Sequence, residues 1–133
     1  MSELRSKKGD DYEAYMNKFL KGILGTPNQD CYDIETKTAL YEVKGAKLCH
    51  SGGRTQKRLS KYLIQAENHE CLKKLADEKG KKAKYVFVLK IGNRNIWKTM
   101  SYEAVHFAIK TAVRFKTKRD GKDCVYLRVS DLW

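Results

Sequence analysis

Asp33, Glu42 and Lys44 are the residues whose types and spacing could do chemistry. They lie in residues 32–45, which read as two short strands joined by a polar turn. Side chains alternate along a strand, so Glu42 and Lys44 share one face while Tyr41 and Val43 point to the other. The expectation is one chemical face and one core face. With the turn centred on Lys37-Thr38, an antiparallel register sets Asp33 opposite Glu42, with Cβ atoms about 5 Å apart. Two carboxylates so placed repel unless one is protonated or a cation joins them, and a hard divalent ion such as Mg²⁺ is the usual solution. Asp30 falls within the same hairpin, and Glu35 shares the Asp33 face and would replace it under another register.

Such acids need elements to hold them. Asp10 or Asp11 can cap a helix running to about Leu24, with Tyr12, Met16, Phe19, Leu20, Ile23 and Leu24 as its apolar stripe. On a helical wheel Glu13 falls in line with Met16, Leu20 and Leu24, at the margin of the buried arc. A carboxylate there either pairs with a lysine or joins Asp33 and Glu42 as a third acid. Without such company, Glu42 and Lys44 would read as an ordinary exposed ion pair on a solvated strand face.

Residues 25–28 turn the chain into the hairpin, whose strands are predicted near 30–35 and 39–45. Three glycines in 45–53 predict a mobile loop. A long helix is predicted over 55–79, with Leu59, Tyr62, Leu63 and Ala66 inward in its first half and Cys71, Leu72 and Leu75 in its second, with a break near Asn68-His69 or a change of buried face. The apolar run 85–91 predicts a central strand covered on both faces, followed by a short strand at 95–98. Ser101 is the predicted N-cap of a helix through about Val113, and Asp120-Gly121 a hairpin turn leading to a strand over 125–129. The order predicts a single α/β domain over 9–133 with a mixed central sheet flanked by helices, behind a flexible basic arm at 1–8.

Composition narrows the partners. The chain has 133 residues, enough for one core, and 28 Lys+Arg against 16 Asp+Glu give a net charge of +12. A pI near 9.6 is that of a protein suited to a polyanion. No apolar run reaches the ~18 residues of a membrane span, and the N-terminus lacks the apolar core of a signal peptide, so a cytoplasmic protein without membrane attachment is expected. Cys31, Cys49, Cys71 and Cys124 contain no CxxC pair, which predicts reduced, mostly buried thiols rather than a zinc site or a disulfide framework.

Taken together, Glu13 on a helix, Asp33, Glu42-Val43-Lys44 on the next strand, a long helix and an apolar strand resemble the PD-(D/E)xK nuclease superfamily, and in order and compactness the archaeal Holliday junction resolvases. Val88-Leu89-Lys90-Ile91, Arg94-Asn95-Ile96-Trp97 and Ser101-Tyr102-Glu103 are similar to the resolvase strand pair and following helix start. The resemblance implies a restriction-endonuclease-like core and a homodimer that nicks branched DNA with Mg²⁺, or Mn²⁺ in its place. It implies Asp33 and Glu42 as metal ligands, Lys44 as the motif lysine and Glu13 as the first-helix carboxylate. Tyr32 stands where the motif has proline, and Thr26 is the hydroxyl nearest the position of the resolvase serine. A small restriction-type or viral nuclease and a non-catalytic nucleic-acid-binding module are the rival readings.

Lys47, Arg54, Lys57, Arg58 and Lys61 flank the expected site and are candidates to grip phosphates, although each also suits a solvated helix face. Arg114, Lys116, Lys118 and Arg119 form a second basic stretch. His50, His69 and His106 lie far apart and offer no paired metal spacing. Trp97, Tyr102 and Phe107 read as core or dimer contacts rather than base-stacking platforms.

Overall fold

The computed structural model describes Tyr12 and residues 14–24, 31–51, 54–56, 61–112, 114–116 and 123–133. Helix α1 covers residues 14–20 and buries Met16. It stops earlier than its apolar stripe suggests, because Lys21 adopts a positive φ of 53° and the Asn17 side-chain oxygen accepts the Gly22 N–H at 2.9 Å. Ile23–Leu24 then form a short strand, β1, paired with β2 (Ile34–Glu35). Phe19 is 52% exposed, so the stripe is narrower than predicted.

The hairpin continues into β3 (Ala39–Lys47), which runs parallel to β7 (Lys82–Ile91), and β7 pairs antiparallel with β8 (Arg94–Ser101). The result is a mixed sheet in the order β1-β2-β3-β7-β8. As expected of its apolar run, β7 is central and buries residues of both faces, among them Tyr85, Val86, Phe87, Val88 and Leu89.

Between β3 and β7 the chain differs from expectation. The glycine-containing segment is a hairpin of β4 (Cys49–Ser51) and β5 (Arg54–Gln56) rather than a loop. Of the expected long helix over 55–79, residues 61–65 are instead strand β6 (Lys61–Gln65) and α2 (Ala66–Lys79) is helical, while residues 57–60 lie outside the described residues. Tyr62 and Ile64 are buried, an alternation of two that suits a strand, and β6 finds a partner in β10 (Asp123–Arg128). Gly80 ends α2 at φ 66°, a left-handed conformation that glycine adopts without strain.

Ser101 caps α3 (Tyr102–Thr111) as predicted, its hydroxyl accepting the Ala104 N–H at 3.1 Å. Strand β9 (Arg114–Lys116) pairs with β10, forming a second sheet β6-β10-β9, and α4 (Val129–Leu132) follows. The predicted Asp120-Gly121 turn, Lys118 and Arg119 lie outside the described residues.

Two apolar clusters sandwich the main sheet. On one face Leu40, Tyr85, Phe87 and Leu89 meet Tyr62, Ile64, Leu72, Ala76, Val105 and Val125. On the other Val43, Val86 and Val88 meet Met16 and Ile34. Gly45 lets the Tyr12 ring lie directly against β3, since a Cβ there would overlap it. In-register alternation places Glu42 and Lys44 beside Tyr85 and Phe87, on the face of the larger cluster. The expected division into a chemical face and a core face is therefore corrected: both faces of β3 are covered, and the acids sit within the margin of a core.

Candidate active site

The β2–β3 turn is closed locally. Thr36 donates its N–H to the Ala39 carbonyl at 2.9 Å, and its hydroxyl accepts the Ala39 N–H at 3.1 Å. This centres the turn on Lys37-Thr38 and sets Ile34 against Tyr41 and Glu35 against Leu40. One step on, Asp33 stands opposite Glu42, in the register the sequence predicts. Asp33 donates its N–H to the Tyr41 carbonyl at 2.8 Å, and its Oδ2 accepts the Val43 N–H at 2.7 Å. A backbone donor thus holds the Asp33 carboxylate in place.

The carboxyls of Glu42 and Asp33 are close neighbours. Burial holds the Glu42 carboxyl well above the ordinary carboxylate range; Lys44 pulls it down, and the charge of Asp33 pushes it further up. The Lys44 Nζ lies 3.5 Å from Glu42 Oε1, and the two side chains are 24% and 14% exposed. The site is therefore a pair of carboxyls that share space at the cost of one charge, with an ammonium on the same face. A hard divalent cation fits this donor set, because it would lie between two neighbouring carboxylates and remove their repulsion. Asp33 and Glu42 are the two acids brought together. Among the described residues there is no group of three or more His, Cys, Asp or Glu that could hold a metal ion, and Glu13 lies outside them.

Glu35 has a different partner set. Its carboxylate takes the Lys81 ammonium at 2.6 Å, Lys79 at 3.1 Å and the Tyr32 hydroxyl at 3.1 Å. Lys81 and then Lys79 hold its pKa down at about 2. Glu35 fastens the hairpin to the end of α2 and is not a substitute for Asp33. Asp30 and Thr26 lie outside the described residues.

The basic residues divide. Lys47 is exposed at the end of β3, in register with Lys90 of β7. Arg54 begins β5, and Lys57 and Arg58 lie outside the described residues. Lys61 is corrected from helix to strand: it opens β6 opposite Arg128, and its ammonium lies 4.7 Å from the centre of the Tyr126 ring. It belongs to the surface of the second sheet.

Two pairings had no signal in the sequence. His69 is buried, with Nδ1 2.7 Å from the Tyr85 hydroxyl and Nε2 3.1 Å from His106 Nδ1, and its ring stacks on Tyr102. Burial, then the neighbouring His106, lowers its pKa to about 4. Cys31 and Cys71 form a disulfide, with Cα atoms 6.0 Å apart, which corrects the expectation of reduced thiols; Cys124 is buried, as expected. Only the fold brings together positions 40 residues apart.

With this geometry in place, comparison with known proteins adds one likeness. The chain superposes on the structure of Hjc, a Holliday junction resolvase from the archaeal hyperthermophile Archaeoglobus fulgidus, with a TM-score of 0.53 and 20% sequence identity. The match covers 93% of this chain and 86% of the resolvase. The two share a fold. No protein-family model matches the sequence, and no curated protein matches it. The mixed sheet flanked by helices thus agrees with the predicted fold class. Among the described residues, no helix is long and apolar enough to cross a membrane.

Proposed function

We propose that the chain is a metal-dependent DNA endonuclease that hydrolyses phosphodiester bonds of branched DNA and works as a homodimer. One observation carries this reading: Asp33, Glu42 and Lys44 converge at one half-buried place on the β2–β3 hairpin. Asp33 and Glu42 would hold Mg²⁺, or Mn²⁺ in its place, with Glu13 as a third carboxylate; when bound, the ion supplies a Lewis acid at the scissile phosphate and acidifies water. Lys44 orients the attacking water and offsets charge that develops on the phosphate. Its ammonium is steered by Glu42, and its partly desolvated position strengthens that effect. The surplus of positive charge, with Lys47 at the end of β3, draws in the polyanion. The likeness in fold to a resolvase favours branched DNA over other nucleic acids.

The test is incubation with labelled four-way junction, duplex, single strand and RNA in Mg²⁺, beside Glu42→Gln. Nicking of the junction by the wild type alone is expected. Absence of cleavage on every substrate overturns the enzyme reading, and preference for duplex of fixed sequence overturns the branched-DNA reading. Sedimentation of the free protein as a monomer at all concentrations overturns the dimer.

A further inference from the structure

A groove of about 730 Å³ opens between α3, α4 and the strands β6 and β10, a volume in the range of sites that take small ligands. The buried Leu127 and Leu132 give it apolar lining. Phe107, also in the lining, is 71% exposed, the most of any large apolar side chain among the described residues. It lies two residues from each of Val105 and Ile109, the buried positions of α3, and so about 200° round the helix from either. Packing of α3 on the sheet makes no use of that ring, and an amphipathic helix ordinarily carries a polar residue there.

The polar lining has two cations against one carboxylate, Lys61 and Arg128 against Asp131. Lys61 and Arg128 are partners across the β6–β10 ladder, where like charges set opposite each other repel. The Lys61 ammonium lies 4.7 Å from the centre of the Tyr126 ring, and among the described residues it forms no salt bridge. Arg128 Nε is paired with Asp131 at 3.1 Å, which offsets its charge in part. A phosphate placed between Lys61 and Arg128 relieves their repulsion, while the exposed ring beside them offers a face for a base. Cations with aromatic platforms are the combination that holds single-stranded nucleic acid. A second copy docked about a two-fold axis through the groove would instead bring these cations against their own counterparts.

Resting on the nuclease reading above, we propose that this groove holds an unpaired strand of the DNA substrate, with a base stacked on Phe107 and the adjoining phosphate at Lys61 and Arg128. Tyr126 steers the Lys61 ammonium through the cation–ring contact. Asp33, Glu42 and Lys44 do not line the groove, so it selects the strand and takes no part in cutting it. Branched DNA with a single-stranded arm is thereby preferred over a fully paired junction.

The experiment uses the full chain in EDTA, where binding is read without cleavage. Anisotropy is measured with labelled oligo-dT, a fully paired four-way junction and the same junction bearing an oligo-dT arm. Phe107→Ala is expected to weaken oligo-dT binding about tenfold, within what one stacked base contributes, to abolish the preference for the armed junction, and to leave the paired junction unchanged. Phe107→Tyr keeps a stacking face and is expected to retain binding. Lys61→Ala/Arg128→Ala is expected to reduce the log–log salt slope on oligo-dT by about 1.4, as loss of two phosphate contacts does. Oligo-dT carrying 5-iodouracil is expected to photocross-link to the α3 peptide that contains Phe107. Unchanged oligo-dT affinity in Phe107→Ala overturns the groove, as do an equal loss on the paired junction and cross-links confined to other peptides. A dimer that dissociates on Phe107→Ala overturns it in favour of a contact between copies. The nuclease reading is tested apart by adding Mg²⁺ to wild type: absence of cleavage with the Phe107 cross-link intact overturns the nuclease and keeps the strand site, whereas cleavage without that cross-link does the reverse.

Discussion

The carboxylate of Asp33 accepts the backbone N–H of Val43 at 2.7 Å, and so stays next to Glu42 although both are acids. Two neighbouring acids cost the folded protein stability when no cation joins them. Asp33→Asn keeps an acceptor for Val43 and is expected to fold, yet to lose Mg²⁺ binding and cleavage. Glu42→Gln is expected to lose cleavage while gaining about 1 kcal/mol of stability in EDTA, because a buried acid with a like neighbour is removed. The sign with pH follows from the raised pKa. The folded form keeps a proton that the unfolded chain releases, so metal-free wild type loses stability as pH rises above the ordinary carboxylate range, and Glu42→Gln lacks that loss. Denaturant titrations at several pH values measure both; equal pH slopes for the two proteins would contradict the expectation.

Substitution of Lys44 is expected to separate binding from chemistry. Lys44→Met keeps the aliphatic stem but loses the ammonium 3.5 Å from Glu42. Cleavage is expected to fall on the order of 10²–10³-fold, with Mg²⁺ affinity unchanged or tighter, since a cation near the acids is gone. Single-turnover rates beside calorimetry test this, and an unchanged rate would remove Lys44 from the chemistry.

Glu35 is predicted to be structural. Glu35→Gln disrupts the clasp by Lys81 and Lys79 and is expected to cost about 1 kcal/mol, a figure reduced for solvent screening. The folded pKa of about 2 lies below that of the unfolded chain, so this stabilisation is present above pH ~4.5 and is lost as pH falls toward about 2. A stability difference between the two proteins that persists unchanged at low pH would contradict it.

His69 predicts the opposite slope from Glu42. Its folded pKa of about 4 is below the unfolded value near 6.5, so the unfolded chain takes up a proton first on acidification. Both states are neutral at pH 7, and stability falls by on the order of 2 kcal/mol as pH drops from 6.5 to 4. Tyr85, Tyr102 and His106 face the ring, so the measurement is the difference between wild type and His69→Gln across that window. Parallel stability curves for the two proteins would show that His69 does not titrate as described.

Local patterns carried a large part of this protein. The turn at Lys37-Thr38, the alternation through Glu42-Val43-Lys44, the apolar run of β7 and the Ser101 cap depend on neighbours a few residues away, and each was legible in the chain. The register placed Asp33 against Glu42 because a short closed turn leaves the strands little freedom to slip.

Only the tertiary structure decided the rest. Leu59, Tyr62, Leu63 and Ala66 are spaced as on a helix, and the competing alternation of Tyr62 and Ile64 is too short to outweigh that pattern; pairing with β10, some sixty residues on, made residues 61–65 a strand. His69 with His106, Cys31 with Cys71 and Glu35 with Lys79 are joined by packing α2 and α3 on the sheet. Such pairs leave no mark on sequence spacing, because the chain between them can take many paths. The acids of the site were thus readable one hairpin at a time, whereas their burial and their bracing by α2 belong to the folded chain.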